Sequence, residues 1–332
     1  MPVRLGVRGT HVDLLKRDEE GAVLAFPEHR SDLDVHARSI ASARLGCFAV
    51  DDRLRPLWDF DDLDGSEARF REQLADETSD PGRAEVLTQL ARIQGLRDSF
   101  EEGDALLDEA ARLAPGARPV EARIDLERGR LRRSSGDPDA ARPLFESAYA
   151  NALGTEQYFL AADAAHMAAL VGDGREGFVT WTNRGLEIAE AHEGASYWAA
   201  SLLNNLGWEH FDAGELDSAL DAFQRALAAR EGDPENPGAI EIALYSVGKT
   251  LRALGRSSEA TPLLERALAS ARAREHEDGW LHEELAEEYA ALGRDTEASA
   301  QARLAIPLLE RDDPSFAEDA ERSAGLTTIA AR

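Results

Sequence analysis

A spacing of small residues recurs along this chain about every 37 to 41 residues, and this repeat constrains the fold most. In the clearest copy, which begins at Asn204, the glycines Gly207 and Gly214 lie seven residues apart. Apolar residues follow them at helical spacing: Ala219, Phe223 and Ala226. Small residues let two helix backbones approach, so each copy predicts a helix, a tight turn and a second helix. One such hairpin cannot bury its apolar face alone, so the copies are expected to stack into a continuous core.

Five further copies keep the same register along the chain. They are marked by Ala91, Gly103, Leu107, Ala110 and Pro115; by Gly129, Gly136, Ala141, Phe145 and Ala148; by a weaker segment from about Gln157 to His192; by Gly248, Gly255, Ala260, Leu264, Ala267 and Leu268; and by Leu285, Ala286, Tyr289, Gly293, Ala298, Ala302 and Ala305. Each copy alone is a weak signal, but six in register predict an all-α repeat array over residues 84–313.

The repeat resembles the tetratricopeptide repeat family. The two longer spacings between successive copies, and the run Leu203-Asn204-Asn205-Leu206, are similar to the extended repeats of kinesin light chains. The resemblance implies a right-handed α-solenoid of about six helix-turn-helix repeats, in which the first helix of each repeat lines a concave groove. The third copy departs from the family pattern, because Gly177 and Arg184 lie near its small-residue positions, so its register is open by about one residue.

Local signals mark the ends of the helices. A Gly or Asp in the middle of each repeat is expected to end the first helix in a left-handed conformation. Three Asp-Pro pairs predict helix starts, with Asp as the N-cap and Pro in the first turn: Asp137-Pro138, Asp233-Pro234 and Asp313-Pro314.

The segments outside the array read differently. Residues 58–83 are predicted to hold an N-terminal capping helix at Gly65–Thr78, and residues 314–332 a C-terminal capping helix. Residues 1–57 balance basic and acidic residues and show only short β-like pieces such as Ala22–Phe26, which predicts a poorly ordered extension. An alternative is that this segment is an over-extended reading frame and that the protein starts near Leu57.

Composition narrows the function classes. The net charge is −27, which disfavours binding to nucleic acid and to anionic membranes, although the charge also serves solubility. No run approaches the roughly 18 apolar residues of a membrane span, and the N-terminus lacks a secretory pattern. The single cysteine, Cys47, cannot form an internal disulfide. We therefore expect a cytoplasmic protein.

No motif predicts an enzyme, a metal site or a cofactor site. Gly172–Gly177 spells a dinucleotide-binding fingerprint, but the sequence before it is helical and rich in Ala where that motif requires a strand. The same residues fall where the third repeat needs its turn. His276 and His282 are six residues apart, and neither has a second ligand at metal spacing.

The groove is the better candidate site. Carrying the family pattern onto this chain gives a peptide-binding set, namely Arg92, Arg130, Arg133, Asn204, Asn205, Trp208, Tyr245, Lys249 and Arg252. It also places Asp163, Met167, Phe211, Trp280, Glu283 and Glu287 along the same first helices. We expect the Asn amides to hold a peptide backbone and Lys249 and Arg252 to bind acidic side chains. The alternative is that Asn205 caps or packs its helix and that Trp208 is core.

These observations predict a non-catalytic scaffold or adaptor that binds a protein or peptide partner, with self-association as a further option. The alternative is a peptide-sensing signalling regulator that changes conformation when its ligand binds.

Overall fold

A computed structural model describes residues 51–60, 62–232 and 236–332; the β-like piece at Ala22–Phe26 lies outside them. In these ranges the chain forms fourteen α-helices, two short 3-10 helices (Arg55–Leu57 and Glu193–Ala195) and no β-strand. The α-helices are α1 Leu63–Asp76, α2 Asp80–Leu96, α3 Phe100–Leu113, α4 Arg118–Ser134, α5 Pro138–Leu153, α6 Tyr158–Ala169, α7 Gly174–Ala191, α8 Tyr197–Asp212, α9 Leu216–Glu231, α10 Pro237–Ala253, α11 Ser257–Ala273, α12 Gly279–Ala291, α13 Asp295–Asp312 and α14 Ala320–Ala330. The predicted all-α helical-repeat fold is confirmed.

The chain divides into two compact units within α8, between Leu206 and Gly207. In unit 1, α2 pairs with α3, α4 with α5 and α6 with α7, and the first helices α2, α4 and α6 lie side by side. We call the surface that these first helices and the start of α8 line the first-helix face of unit 1. In unit 2, α10 pairs with α11 and α12 with α13, and α14 packs on the last pair.

Small residues sit where helices cross, as the repeat pattern predicts. A Cβ added at Gly207 would lie 2.5 Å from a ring carbon of Phe223, which is fully buried. In the third repeat the crossing residue is Gly185, one position beyond Arg184, and an added Cβ there would meet Leu202 at 2.9 Å. Gly185 thus fixes the register that the sequence left open by one residue.

The turns inside the repeats use left-handed residues. Gly214 and Gly255 follow α8 and α10 with φ of 74° and 72°, a region that glycine enters without steric cost. Asp98 adopts the same left-handed conformation between α2 and α3, with φ of 58°. The segment Gly172–Gly177 covers the end of the turn after α6 and the first residues of α7, and it follows a helix, as its place in the repeat predicts.

The three predicted Asp-Pro helix starts have different outcomes. Asp137 is the N-cap of α5, and its side chain accepts a hydrogen bond from the Ala140 N–H, so this prediction is confirmed. The pair at 233–234 lies outside the described residues, and Asn236 caps α10. Asp313 instead ends α13, and its carboxylate accepts from the Ser315 N–H and hydroxyl, which holds the chain in a turn. The last helix therefore begins at Ala320 rather than at 314.

The N-terminal boundary also differs from the expectation. Residues 51–57, predicted to be poorly ordered, pack on unit 1, and Leu54 is 1% exposed. The predicted capping helix corresponds to α1, which buries Phe70, but α2 already begins at Asp80, so the predicted boundary at residue 84 falls inside it. No helix among the described residues is both long and apolar enough to cross a membrane.

Candidate functional site

Three arginines predicted for the groove lie on neighbouring helices of unit 1, with Arg92 on α2 and Arg130 and Arg133 on α4. Arg130 is neutralised, because it donates to Glu127 at 2.6 Å and also to Asp163 on α6. Both carboxylates are almost fully buried. Since Asp163 comes from the next repeat, this ion pair ties the first helices of two repeats together.

The surroundings of the other two arginines are different. The Arg92 guanidinium lies over the rings of Trp58 and Phe60, at 5.3 and 5.1 Å from their centroids. Among the described residues, neither Arg92 nor Arg133 has a side-chain hydrogen bond or an ion pair. Burial, together with the nearby charge of Arg130, lowers the pKa of Arg92 to about 10 and lowers that of Arg133 as well. The charges of Glu127 and Asp163 oppose this shift at Arg92, but neither carboxylate forms a direct ion pair with it.

A small, partly open cleft lies on the same face. It mixes aromatic and charged side chains, and its lining includes Trp58, Phe159, Trp198, Arg92, Arg123 and Glu127. Several buried polar atoms around it have no hydrogen-bond partner within the described part of the chain: Arg123 Nε, Glu127 Oε2 and Trp198 Nε1. Burial also raises the pKa of Glu127, although Arg130 and Arg92 oppose that shift. Unsatisfied polar atoms of this kind favour a site that takes up a further polar group.

The two asparagines of α8 are placed differently from the expectation. Asn204 and Asn205 are only 5% and 6% exposed. The Asn205 Nδ2 atom lies 3.4 Å from Nδ1 of His166 on α6, so this side chain packs between two first helices. The position of Asn205 thus agrees with the alternative interpretation, in which it is a packing residue. Its Oδ1 atom has no hydrogen-bond partner within the described residues.

The remaining predicted residues cluster in unit 2. Trp208 packs edge-on against Phe223, with ring centroids 4.9 Å apart, and its ring centroid lies 6.4 Å from that of Tyr245. Tyr245 is 4% exposed, and its hydroxyl accepts a hydrogen bond from Lys249 Nζ at 3.1 Å. These aromatic rings belong to the apolar core of unit 2 and its margin.

Lys249 and Arg252 are already neutralised. Both donate to the carboxylate of Glu284, which is 1% exposed, and Arg252 also pairs with Glu287 at 2.7 Å. Burial alone would lower the pKa of Lys249, but the Glu284 charge outweighs it and raises that pKa. Burial would likewise raise the pKa of Glu284, yet the two cations lower it to about 2. The basic pair predicted to bind acidic ligand groups is therefore committed to an internal ion pair.

Sequence reasoning missed both Glu284 and the contacts of the N-terminal segment. One signal was present: each buried acid follows its basic partner by about one repeat, 33 residues from Arg130 to Asp163 and 35 from Lys249 to Glu284. A search for acids 33 to 35 residues after each basic residue, slightly less than one repeat, would have included Glu284. Nothing in the sequence indicated that residues 51–60 lie on the first-helix face.

Comparisons with known proteins agree with this architecture. Residues 199–231 match a family model described as Tetratricopeptide repeat. The fold is similar to that of the apo form of RapI, with a TM-score of 0.63 and 15% identity over 80% of this chain and 76% of that one. It is also similar to BtubC (BKLC) from P. vanneervenii, with a TM-score of 0.54 and 20% identity over 68% of this chain and 93% of that one.

A third solved structure is a Rap protein complexed with Competence and Sporulation Factor, with a TM-score of 0.50 and 15% identity over 94% of this chain and 98% of that one. The search of curated proteins gave no match. At these identities the solved structures establish the fold alone. Together with the repeat matched at residues 199–231, they support an all-α helical-repeat fold that is similar to solved repeat structures.

Proposed function

We propose that this protein is a non-catalytic, cytoplasmic scaffold or adaptor that binds a protein or peptide segment on the first-helix face of unit 1. The bound segment carries acidic side chains, which pair with Arg92 and Arg133. The observation that carries this proposal is the pair of half-buried arginines that form no direct ion pair or side-chain hydrogen bond among the described residues, in a chain whose net charge is −27. Arg92 and Arg133 therefore replace Lys249 and Arg252 as the proposed acid-binding residues, because Glu284 already neutralises Lys249 and Arg252.

The physical argument is one of desolvation. A guanidinium that is withdrawn from water without a counterion is destabilised, whereas a carboxylate can accept two parallel hydrogen bonds from it. A partner carboxylate at Arg92 or Arg133 would therefore gain charge-assisted hydrogen bonds that the described residues do not supply. The aromatic rings of Trp58 and Phe60 beside Arg92 add rigid apolar area, which is typical of binding hot spots.

The comparisons support binding as the general activity. The matched family and the Rap protein complexed with Competence and Sporulation Factor both favour a chain that holds a partner. The same complex favours the second candidate function, a peptide-sensing regulator that changes conformation on binding. Small-angle scattering of the chain with and without its captured segment separates the two: a change in the scattering profile favours the regulator, and an unchanged profile favours the scaffold.

The test is capture of partners from a native lysate by the full chain, read by mass spectrometry. The Arg92→Gln and Arg133→Gln double variant is compared with Arg128→Gln and Arg132→Gln. The control arginines lie on α4 as well, but they pair with Asp104 and Asp108 of α3. A protein that is recovered by the wild type and the control but lost with the first variant supports the proposal. Equal recovery by all three chains contradicts it.

A further inference from the structure

Residues 51–60, which we call the strap, run along the first-helix face of unit 1. At the beginning of the strap, the Asp51 N–H donates to the Gly194 carbonyl at 3.1 Å, in the 3-10 turn before α8. The approach is close enough that a Cβ at Gly194 would lie 2.7 Å from the Asp51 Cβ. The strap is therefore docked by its backbone at one end, more than 130 residues along the chain from its own sequence position.

The next contacts are charged and buried. The Asp52 carboxylate accepts two hydrogen bonds from Arg123 on α4, at 2.9 and 3.1 Å, and both side chains are about 7% exposed or less. Arg55 donates to the Tyr197 hydroxyl at 2.9 Å and lies over the same ring. A bidentate carboxylate–guanidinium pair is the contact by which many proteins recognise an acidic ligand side chain.

The end of the strap reaches the arginine cluster. Trp58 donates to Gln89 of α2 at 2.8 Å and stacks on Phe60 at 4.6 Å, and the Arg92 guanidinium lies over both rings. Trp58 also packs against Phe70 of α1. The strap thus contributes one carboxylate, a buried Leu54 and two aromatic rings to the face that the proposed function assigns to a partner.

We propose that the strap is a built-in ligand of this face, and that the partner segment competes with it for Arg123. The inference rests on the proposed function for the identity of the competitor. It commits to an occupant with the strap's own chemistry: a segment with an acidic residue and, two positions later, a large apolar residue. Residues 51–55 leave the face on binding, whereas Trp58 and Phe60 stay anchored on α1 and α2.

The test uses a synthetic fluorescent peptide of residues 46–57 and the full chain with residues 51–55 replaced by a Gly/Ser sequence of equal length. The peptide is expected to bind the replaced chain at least tenfold more tightly than it binds the wild-type chain. In the wild type, the tethered strap competes with the peptide at high effective concentration. Adding Arg123→Gln to the replaced chain is expected to abolish the gain. Equal binding to both chains, or binding to neither, overturns the inference.

A second measurement covers the case in which the replaced chain does not fold. Asp52→Asn in the full chain removes the charge opposite Arg123, and hydrogen exchange then reports on each segment. Amides of residues 51–55 are expected to exchange at least tenfold faster, with α4 and α6 unchanged. The matched control is Asp104→Asn, because Asp104 of α3 also pairs with arginines of α4, Arg128 and Arg132, but lies outside the strap, whose exchange should then stay unchanged. Unchanged exchange in the strap, or equal loosening of α4, makes it an ordinary part of the core and overturns the inference.

The strap peptide needs no external partner, so its result is independent of the lysate experiment. If the peptide binds while Arg92→Gln and Arg133→Gln leave partner capture intact, the proposed site fails and the internal ligand stands. If the peptide does not bind while partner capture depends on Arg92 and Arg133, the proposed site stands and the internal ligand fails.

Discussion

The ion-pair cluster of unit 2 gives the sharpest test of how the structure is held together. Glu284 on α12 is 1% exposed and receives hydrogen bonds from both Lys249 and Arg252 of α10. Replacing it by Gln keeps the shape and removes the charge. Two cations then remain half-buried, and among the described residues their remaining direct ion pair is that of Arg252 with the partly exposed Glu287 carboxylate.

The magnitude follows from the electrostatics. The two cations hold the pKa of Glu284 at about 2, against an ordinary value of 4.5. That difference corresponds to about 3 kcal/mol. Breaking a buried ion pair costs about 3–5 kcal/mol, and the lower end applies here because Lys249 and Arg252 are 25% and 28% exposed and can regain water. We therefore expect Glu284→Gln to lower the free energy of unfolding by about 3 kcal/mol.

The assay is urea unfolding followed by circular dichroism, with Glu287→Gln as the matched control. Glu287 is 35% exposed and contacts only Arg252 of the pair, and burial together with the Glu284 charge raises its pKa. Its neutralisation should therefore change the free energy of unfolding by less than about 1 kcal/mol. Equal losses for the two variants, or no loss for Glu284→Gln, would refute the reasoning.

Two further predictions concern packing and pH. Gly207→Ala should destabilise the protein by about 1–3 kcal/mol, because the added Cβ would overlap the buried Phe223 ring. Gly325→Ala in α14 should stabilise the protein by up to about 1 kcal/mol, because the added Cβ meets nothing within 4 Å. Thermal melts that rank the two variants the other way contradict this prediction. Because its folded pKa is depressed, Glu284 contributes stability that is fully present above pH 4.5 and is lost as pH falls towards about 2. The difference in unfolding free energy between wild type and Glu284→Gln should therefore shrink across that range, and a difference that persists at pH 2 falsifies this assignment.

The sequence was sufficient for the repeat because its signal is local and periodic. Gly207 and Phe223 pair within one hairpin, and the left-handed Gly214 follows seven residues after Gly207. Such contacts depend on spacing within a single copy, which the chain displays directly. The predicted start of the last helix was wrong because an Asp side chain can cap a turn as readily as a helix. Here the Ser315 N–H and hydroxyl both donate to the Asp313 carboxylate, which favours the turn.

The candidate site was less predictable, because its outcome depends on contacts between repeats. Lys249 looks free in the sequence, and only the stacking of α12 on α10 shows that Glu284 neutralises it. Arg92 looks like its neighbours, and only the structure shows that its guanidinium lies over two aromatic rings and, among the described residues, forms no direct ion pair. The position of Asp52 opposite Arg123, 71 residues away, has no periodic signal at all.

The central claim is that the two unneutralised arginines of unit 1 bind acidic groups of a partner. The most direct test is calorimetric titration of the captured partner segment onto the wild type and onto the chain with Arg92→Gln and Arg133→Gln, at low and high salt. We predict at least a tenfold loss of affinity at low salt and a weaker salt dependence in the variant, because each charge-assisted hydrogen bond contributes about 1.5–3 kcal/mol. An unchanged affinity with an unchanged salt dependence would contradict the claim.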